Sequence, residues 1–220
     1  MLNQITLACY TQGHKNQSIN SEAWSIPELY CSFLKDFDTG KVVKVNVNIR
    51  EEWGELLDYY ESYVDVITIR NHFDFSSYSV LDKQGKKKMQ LEAVHKGIMQ
   101  IAARKGWSKD PLLDAYNQCL ERNLEYHFDV GKPKSSPDRK HKIGFWCNWD
   151  LNEFELYWVL FDKQNRELKR ERFITKLPHE GEFVYYLKWK WISEGKVVLE
   201  DNYKYGKNES WMIDLVDQVV

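Results

Sequence analysis

The sequence predicts an α+β fold, with antiparallel strands before and after a central helical hairpin and helices packed on one sheet face. Three observations predict it. Leu91, Val94, Ile98, Ile101 and Ala102 recur at helical spacing, and Leu113, Tyr116, Leu120 and Leu124 continue the pattern beyond Gly106. Val43, Val45, Val47 and Ile49 alternate with Lys44, Asn46 and Asn48, the period of a strand with one wet face. From Ile143 onward, strand-length alternations follow one another with turn residues between them.

Taken in order, Gln4 to Tyr10 reads as a first strand and His14 to Asn20 as a polar loop. Ser25-Ile26-Pro27-Glu28 fits a capping box, in which the serine accepts from the third helical N–H and the glutamate reaches back. The helix that follows, through Leu29, Phe33 and Leu34, breaks near Asp38-Thr39-Gly40. Lys41 to Ile49 is the half-buried strand, and Glu51 to Tyr60 is expected to be helical despite Gly54. Val64 to Ile69 is strand-like, and His72 to Val80 alternates aromatic with polar residues. The helical hairpin is expected over 89–127. Arg104 and Lys105 suit its first C-terminus, Gly106 its left-handed cap, and Ser108 or Asp110 the second N-cap, with Pro111 in the first turn.

Gly131 to Lys142 holds two prolines, two serines and five basic residues against Asp138, with no apolar side chain. It is the best candidate for a linker or loop, so the chain reads either as one compact domain or as an α+β region over 1–130 and a β-meander over 143–220 divided there. In the meander Ile143, Phe145, Cys147 and Trp149 face one way, and Phe154, Leu156, Trp158 and Leu160 match them on the next strand. A four-residue turn over Asp162 to Asn165 sets Glu155 opposite Arg172 and Tyr157 opposite Arg170; a two-residue loop changes the partners but keeps the faces. Phe183, Tyr185, Leu187, Trp189 and Trp191 read as one apolar strand face, and a turn at Glu194-Gly195 sets Lys188 against Asp201. Trp211 to Val216 fits either a closing strand or a terminal helix.

Composition narrows the function classes. A net charge of -2 gives no global field to draw in nucleic acid or an anionic membrane, so such binding would need a local patch. The cysteines Cys9, Cys31, Cys119 and Cys147 stand far apart and form no C-x-x-C, which reads as reduced buried thiols. The apolar run Ile5 to Tyr10 is too short for a signal peptide or a membrane span, so a cytoplasmic protein is expected. Nucleotide-binding glycine motifs, a nucleophile elbow and H-E-x-x-H are missing, and neither a cofactor nor a catalytic residue is predicted.

Aromatics make up 15% of the chain, with 9 Trp and 13 Tyr, and such side chains dominate both cores and interfaces. Trp158 and Trp189 follow the inward phase. Trp146 points opposite to Phe145 and Trp149, so it is the expected exposed indole. With Tyr157, Arg170 and Arg172 on the neighbouring strands, it forms the expected partner-binding set, aromatic and arginine-rich as interface anchors are. The leading expectation is therefore a non-catalytic binding protein whose partner is a protein. A bacterial inhibitor or immunity-type protein masking a toxic enzyme would have this texture.

Two rivals rest on other residues. Lys86, Lys87 and Lys88, together with Lys132, Lys134, Arg139, Lys140, His141 and Lys142, could grip phosphates beside Trp146, although polyanion affinity scales with the number of phosphates neutralised. Cationic side chains early in a helix also oppose its dipole. His72 and Asp74, with His127 and Asp129, repeat an H-x-D pattern. They would hold a divalent metal for hydrolysis only if the fold brought the pairs together.

Overall fold

The computed structural model describes residues 1–9, 17–51, 60–203 and 208–215. The chain divides into two compact units, Met1–Tyr126 with Asp150–Asn152, and His127–Trp149 with Glu153–Val220. The α-helices described all lie in the first unit and the antiparallel sheets mostly in the second, and the class is α+β.

The first unit is built on a four-stranded sheet of β1 (Gln4–Cys9), β2 (Lys44–Arg50), β3 (Tyr60–Tyr63) and β4 (Val66–His72), in the order β1-β2-β4-β3. β1 and β4 both run parallel to β2, and only β3 is antiparallel to its neighbour. The expectation of antiparallel strands fails here for a physical reason. Between β1 and β2 lie α1 (Gln17–Glu22) and α2 (Ser25–Ser32), and a helical crossover returns the chain in the direction it left. Ile5, Leu7 and Cys9, Val45, Val47 and Ile49, and Ile67 and Ile69 form the buried face. Gln4 and Thr6, Lys44, Asn46 and Asn48, and Thr68 and Arg70 lie on the other.

Helix α3 (Phe75–Val80) is followed by α4 (Lys83–Lys105) and α5 (Asp110–Glu121). The stripe Leu91, Val94, Ile98, Ile101 and Ala102 is wholly buried, and α4 lies against β2 and β4. Gly97 allows that approach, because a Cβ there would sit 2.9 Å from the Val47 Cγ2. Asp82 caps α4 by accepting from the Gly85 N–H, and Gly106 ends it at φ 68° with the Ala102 carbonyl accepting from both Gly106 and Trp107.

Several local expectations need correction. Gln17 to Asn20 is helical; residues 10–16, and the helix expected between Glu51 and Tyr60, lie outside the described residues apart from those two ends. Ser25 is no cap: it lies inside α2, whose N-cap is Trp24. Phe75 to Val80 is helical, started by the Asp74 carboxylate accepting from the Ser77 N–H at 2.9 Å. The hairpin spans 83–121; beyond α5, Asn123 and Leu124 take positive φ, which turns the chain into a strand. Neither Ser108 nor Asp110 caps α5 through its side chain.

The second unit carries two sheets. β5 (Tyr126–Asp129), β6 (Lys134–Ser135), β7 (His141–Trp149), β8 (Phe154–Asp162) and β9 (Glu167–Lys176) form one, in the order β5-β7-β8-β9 with β6 also on β7. β10 (Leu187–Ser193), β11 (Lys196–Asp201) and β12 (Ser210–Asp214) form the other as an antiparallel meander. Trp211 to Asp214 therefore closes a sheet. The whole of 131–142 belongs to this unit, where Lys134 pairs with Ile143 and Ser135 with Lys142.

Inward alternation holds as expected on β7 and β8. Ile143, Phe145, Cys147, Trp149, Phe154, Leu156, Trp158 and Leu160 are all buried, and Trp189 is buried against Phe145 with ring centres 5.2 Å apart. The expected strand 183–191 begins only at Leu187. Pro178 to Tyr186 winds as a 3₁₀ segment that buries the consecutive residues Phe183 and Val184. Registers also shift. Tyr157 lies opposite Arg172 and Val159 opposite Arg170, while an irregularity between Trp191 and Ser193 sets Lys188 against Glu200 instead of Asp201.

Candidate functional site: the outward face of the five-stranded sheet

The second unit buries one face of its larger sheet and leaves the other ringed and charged. Because side chains alternate along a strand, the phase that buries Phe145, Cys147 and Trp149 puts Trp146 and Asn148 on the opposite face, where both are half-buried; Trp146 is not the exposed indole expected, because neighbouring side chains cover part of its ring. The same face of β8 carries Glu155, which is buried, and Tyr157, which is half-buried, and β9 adds the exposed Arg170 and Arg172. Trp146, Tyr157, Arg170 and Arg172 thus lie together.

Trp146 is the hub. Its ring meets His127 at 5.5 Å between centres, Tyr157 edge-on at 5.2 Å, and the Arg170 guanidinium at 4.6 Å. A guanidinium over an indole is held by the ring quadrupole. The Arg170 fork is fixed from its other side by Glu167, whose carboxylate oxygens accept from Nε at 3.1 Å and Nη2 at 2.9 Å. Glu167, nearby Asp129 and Tyr157 all favour the charged guanidinium against the opposing effect of its partial burial.

Glu155 organises the second half. Its Oε1 accepts from Arg172 Nη1 at 2.7 Å, and its Oε2 accepts from Asn148 Nδ2 and from the Tyr157 hydroxyl, each at 3.1 Å. Burial pushes the Glu155 carboxyl up, but Arg172, Asn148 and Tyr157 together outweigh it and hold the group below its ordinary range. The Tyr157 phenol is pushed up, by desolvation and by the carboxylate it donates to. Both carboxylate oxygens are occupied, and the group clamps three neighbours. What remains for chemistry outside the protein is ring surface and the unspent N–H groups of Arg172, whose side chain is 58% exposed.

The other candidate residues are arranged differently. Lys86 pairs with Glu22 at 3.3 Å and lies over the Tyr78 ring, Lys87 is buried against Asp150 at 3.0 Å, and Lys88 is exposed. Lys134 donates to the Trp189 carbonyl at 2.7 Å and covers the Trp189 ring, Lys142 donates to Asn165, and Lys140 pairs with Asp138. Lys132 is exposed, and Arg139 takes φ 60° in the turn before β7. His72 shares a hydrogen bond with the Glu51 carbonyl at 3.0 Å, and Asp74 is occupied as the cap of α3. His72 and Asp74 belong to the first unit, His127 and Asp129 to the second. No group of three or more His, Cys, Asp or Glu among the described residues is placed to hold a metal ion.

Asn148, Glu155, Glu167 and the tilted His127 ring complete the cluster beyond the partner-binding set expected from the sequence. Phase alone placed Asn148 and Glu155 on the face of Trp146. The clamp needed register, and the shift of β9 against β8 decides it. Among the described residues no helix is long and apolar enough to cross a membrane. The chain matches no protein-family model. Searches of curated proteins and of solved structures also find no match.

Proposed function

We propose that the chain is a protein-binding protein that presents the outward face of this sheet to a folded protein partner. The observation that carries this reading is the prearranged set of Trp146 under Arg170, beside Tyr157 and Arg172, which are both tied to Glu155. Trp, Tyr and Arg are the side chains that dominate interface energies, and holding them in place before contact reduces the ordering cost of association. Arg172 is suited to a carboxylate on the partner, since its fork can still donate in pairs. An inhibitor or immunity-type role, in which this face covers a toxic enzyme, is the narrower form of the proposal. The cytoplasm suits it, because Cys9, Cys31, Cys119 and Cys147 are all free thiols. Nucleic acid is the weaker reading, as Lys86, Lys87, Lys134 and Lys142 already have partners within the protein.

The test compares proteins captured from the native host by the unaltered chain and by Trp146→Ala and Arg172→Glu. Affinity is then measured on whatever is lost. Trp146→Ala is expected to weaken that affinity by about 2 kcal/mol or more, roughly thirtyfold. Lys188→Ala, on the other sheet, should leave it within about threefold. Equal capture by all variants, with native circular dichroism, would reject the face as the interface. Retention of nucleic acid in place of protein, falling steeply with salt, would favour the other reading.

A further inference from the structure

The first unit has a cavity of about 290 Å³ between the edge strand β1, the start of β2 and the segment from Asn20 to Glu28. That is room for roughly ten waters, at the small end of ligand pockets. Strand β1 is paired on one side only, parallel to β2, and the Gln4 N–H donating to the Val43 carbonyl sets the phase of that pairing. Backbone groups alternate sides along a strand, so Ile5, Leu7 and Cys9 turn their N–H and carbonyl groups to the open edge. Asn20 covers one end of that edge. Its side-chain amide accepts from the Cys9 N–H at 2.7 Å and donates to the Cys9 carbonyl at 2.9 Å, the exchange an antiparallel neighbour would make. At Leu7, which lines the cavity, neither group has a partner among the described residues.

The rest of the wall offers a charge and an apolar surface. Lys44, in register with Gln4 near the start of β1, makes no ion pair among the described residues. Asn46 accepts from the Thr6 hydroxyl at 2.8 Å and donates to Thr68 at 3.3 Å, which fixes its amide and leaves one N–H unspent. The Trp24 indole N–H donates to the Asn20 carbonyl at 2.8 Å, so Trp24 offers the cavity only apolar ring. Glu28 also lines the cavity but has a partner within the protein, and the site makes no use of it. A strand edge with one open N–H and carbonyl pair, and an ammonium beyond it, is complementary to the end of an extended peptide. We propose that this cavity binds the carboxy-terminal tail of a partner protein, added antiparallel to β1. The penultimate residue of the tail exchanges both backbone hydrogen bonds with Leu7. The terminal carboxylate lies on Lys44 with help from the Asn46 amide, and the Trp24 ring covers an apolar side chain. Only the antiparallel direction brings the carboxylate towards Lys44. Asn20, already on Cys9, turns earlier residues of the tail away from the edge, so the last two are the ones read. The site shares no residue with the sheet face of the second unit, so either proposal can fail alone.

The test is titration of fluorescently labelled tetrapeptides with the full chain, read by anisotropy. The label blocks the amino-terminus, and the peptides come in pools fixed at their last two residues. At least one pool with free carboxy-termini is expected to bind, and the best sequence from it, once amidated, about tenfold or more weaker. Methylating the amide nitrogen of the penultimate residue removes the donor to the Leu7 carbonyl and should also cost about tenfold. Lys44→Met should weaken the free acid about tenfold but scarcely change the amide, which already lacks the charge Lys44 reads. Lys44 lines a surface cavity, and unchanged thermal unfolding confirms that the variant is folded. Appended to the end of an unrelated carrier protein, the same sequence should bind as well as the peptide does. Absence of binding by every free-acid pool overturns the proposal. So does a bound peptide whose affinity ignores any one of amidation, methylation and Lys44→Met, or one that no longer binds at the end of the carrier.

Discussion

Asp150→Ala is expected to lower the unfolding free energy of the first unit by about 3–5 kcal/mol, because it strands a buried ammonium. Lys83 and Lys87, one helical turn apart on α4, both reach Asp150, and the Lys87 side chain is only 6% exposed. A surface pair would be worth a fraction of that. The carboxylate is held further by the Leu151 N–H at 2.7 Å. Burial pushes the Asp150 carboxyl up, but the Lys83 hydrogen bond, the Leu151 N–H and Lys87 outweigh it, and the net direction is down. A carboxyl depressed by folding binds its proton more readily when unfolded. Its stabilisation is therefore fully present above the unfolded value of about 3.9, and is lost as pH falls through the lower folded value. Asp150→Asn should accordingly cost most at neutral pH. Its deficit against the unaltered chain should shrink as pH drops below about 4. Urea titrations at neutral and acid pH measure both effects; a deficit that stays constant or grows on acidification contradicts the assignment.

That ion pair also shows where the sequence stops being readable. Lys86, Lys87 and Lys88 look like a solvated charge run, yet Lys86 and Lys87 pair with Glu22 and Asp150, which lie far along the chain. Nothing local signals such pairing. The stripe of α4 was readable because one-sided burial imposes a helical period, and β7 and β8 were readable because burial imposes a period of two. These are properties of single elements. Strand direction and register are properties of pairs. The crossover through α1 and α2 makes β1 parallel to β2, and one irregular residue near Ile192 moves Lys188 from Asp201 to Glu200. Phe75 to Val80 shows a different competition. Its rings favour a strand, but the Asp74 side chain accepting from the N–H and hydroxyl of Ser77 starts a helix. The site divides along the same line. Phase alone turned Trp146 outward, while the clamp of Glu155 on Asn148, Tyr157 and Arg172 depended on three strands taking one particular register.

In the second unit, Gly181→Ala and Trp149→Ala are expected to be severe singly and much less than additive together. Trp149 is 1% exposed and its indole N–H donates to the Pro178 carbonyl at 3.0 Å, so truncation opens a cavity and leaves a buried acceptor, costing about 3–5 kcal/mol. A Cβ on Gly181 would lie 2.7 Å from the Phe154 Cδ2 and 2.8 Å from two carbons of the Trp149 ring. Neither ring can retreat in a filled core, and overpacking of this kind costs about 1–3 kcal/mol. Gly106→Ala makes the contrast: no atom lies within 4 Å of the added carbon, so only the left-handed backbone at φ 68° is charged, about 1–2 kcal/mol. Removing the Trp149 ring frees the space that the Gly181 methyl needs. It also lets Phe154, which packs edge-on against that ring at 5.3 Å, move aside. The double variant should therefore be more stable than the sum of the two losses predicts, by about 1 kcal/mol or more. Losses that add to within about 0.5 kcal/mol would mean that the two positions do not share the volume the geometry assigns to them.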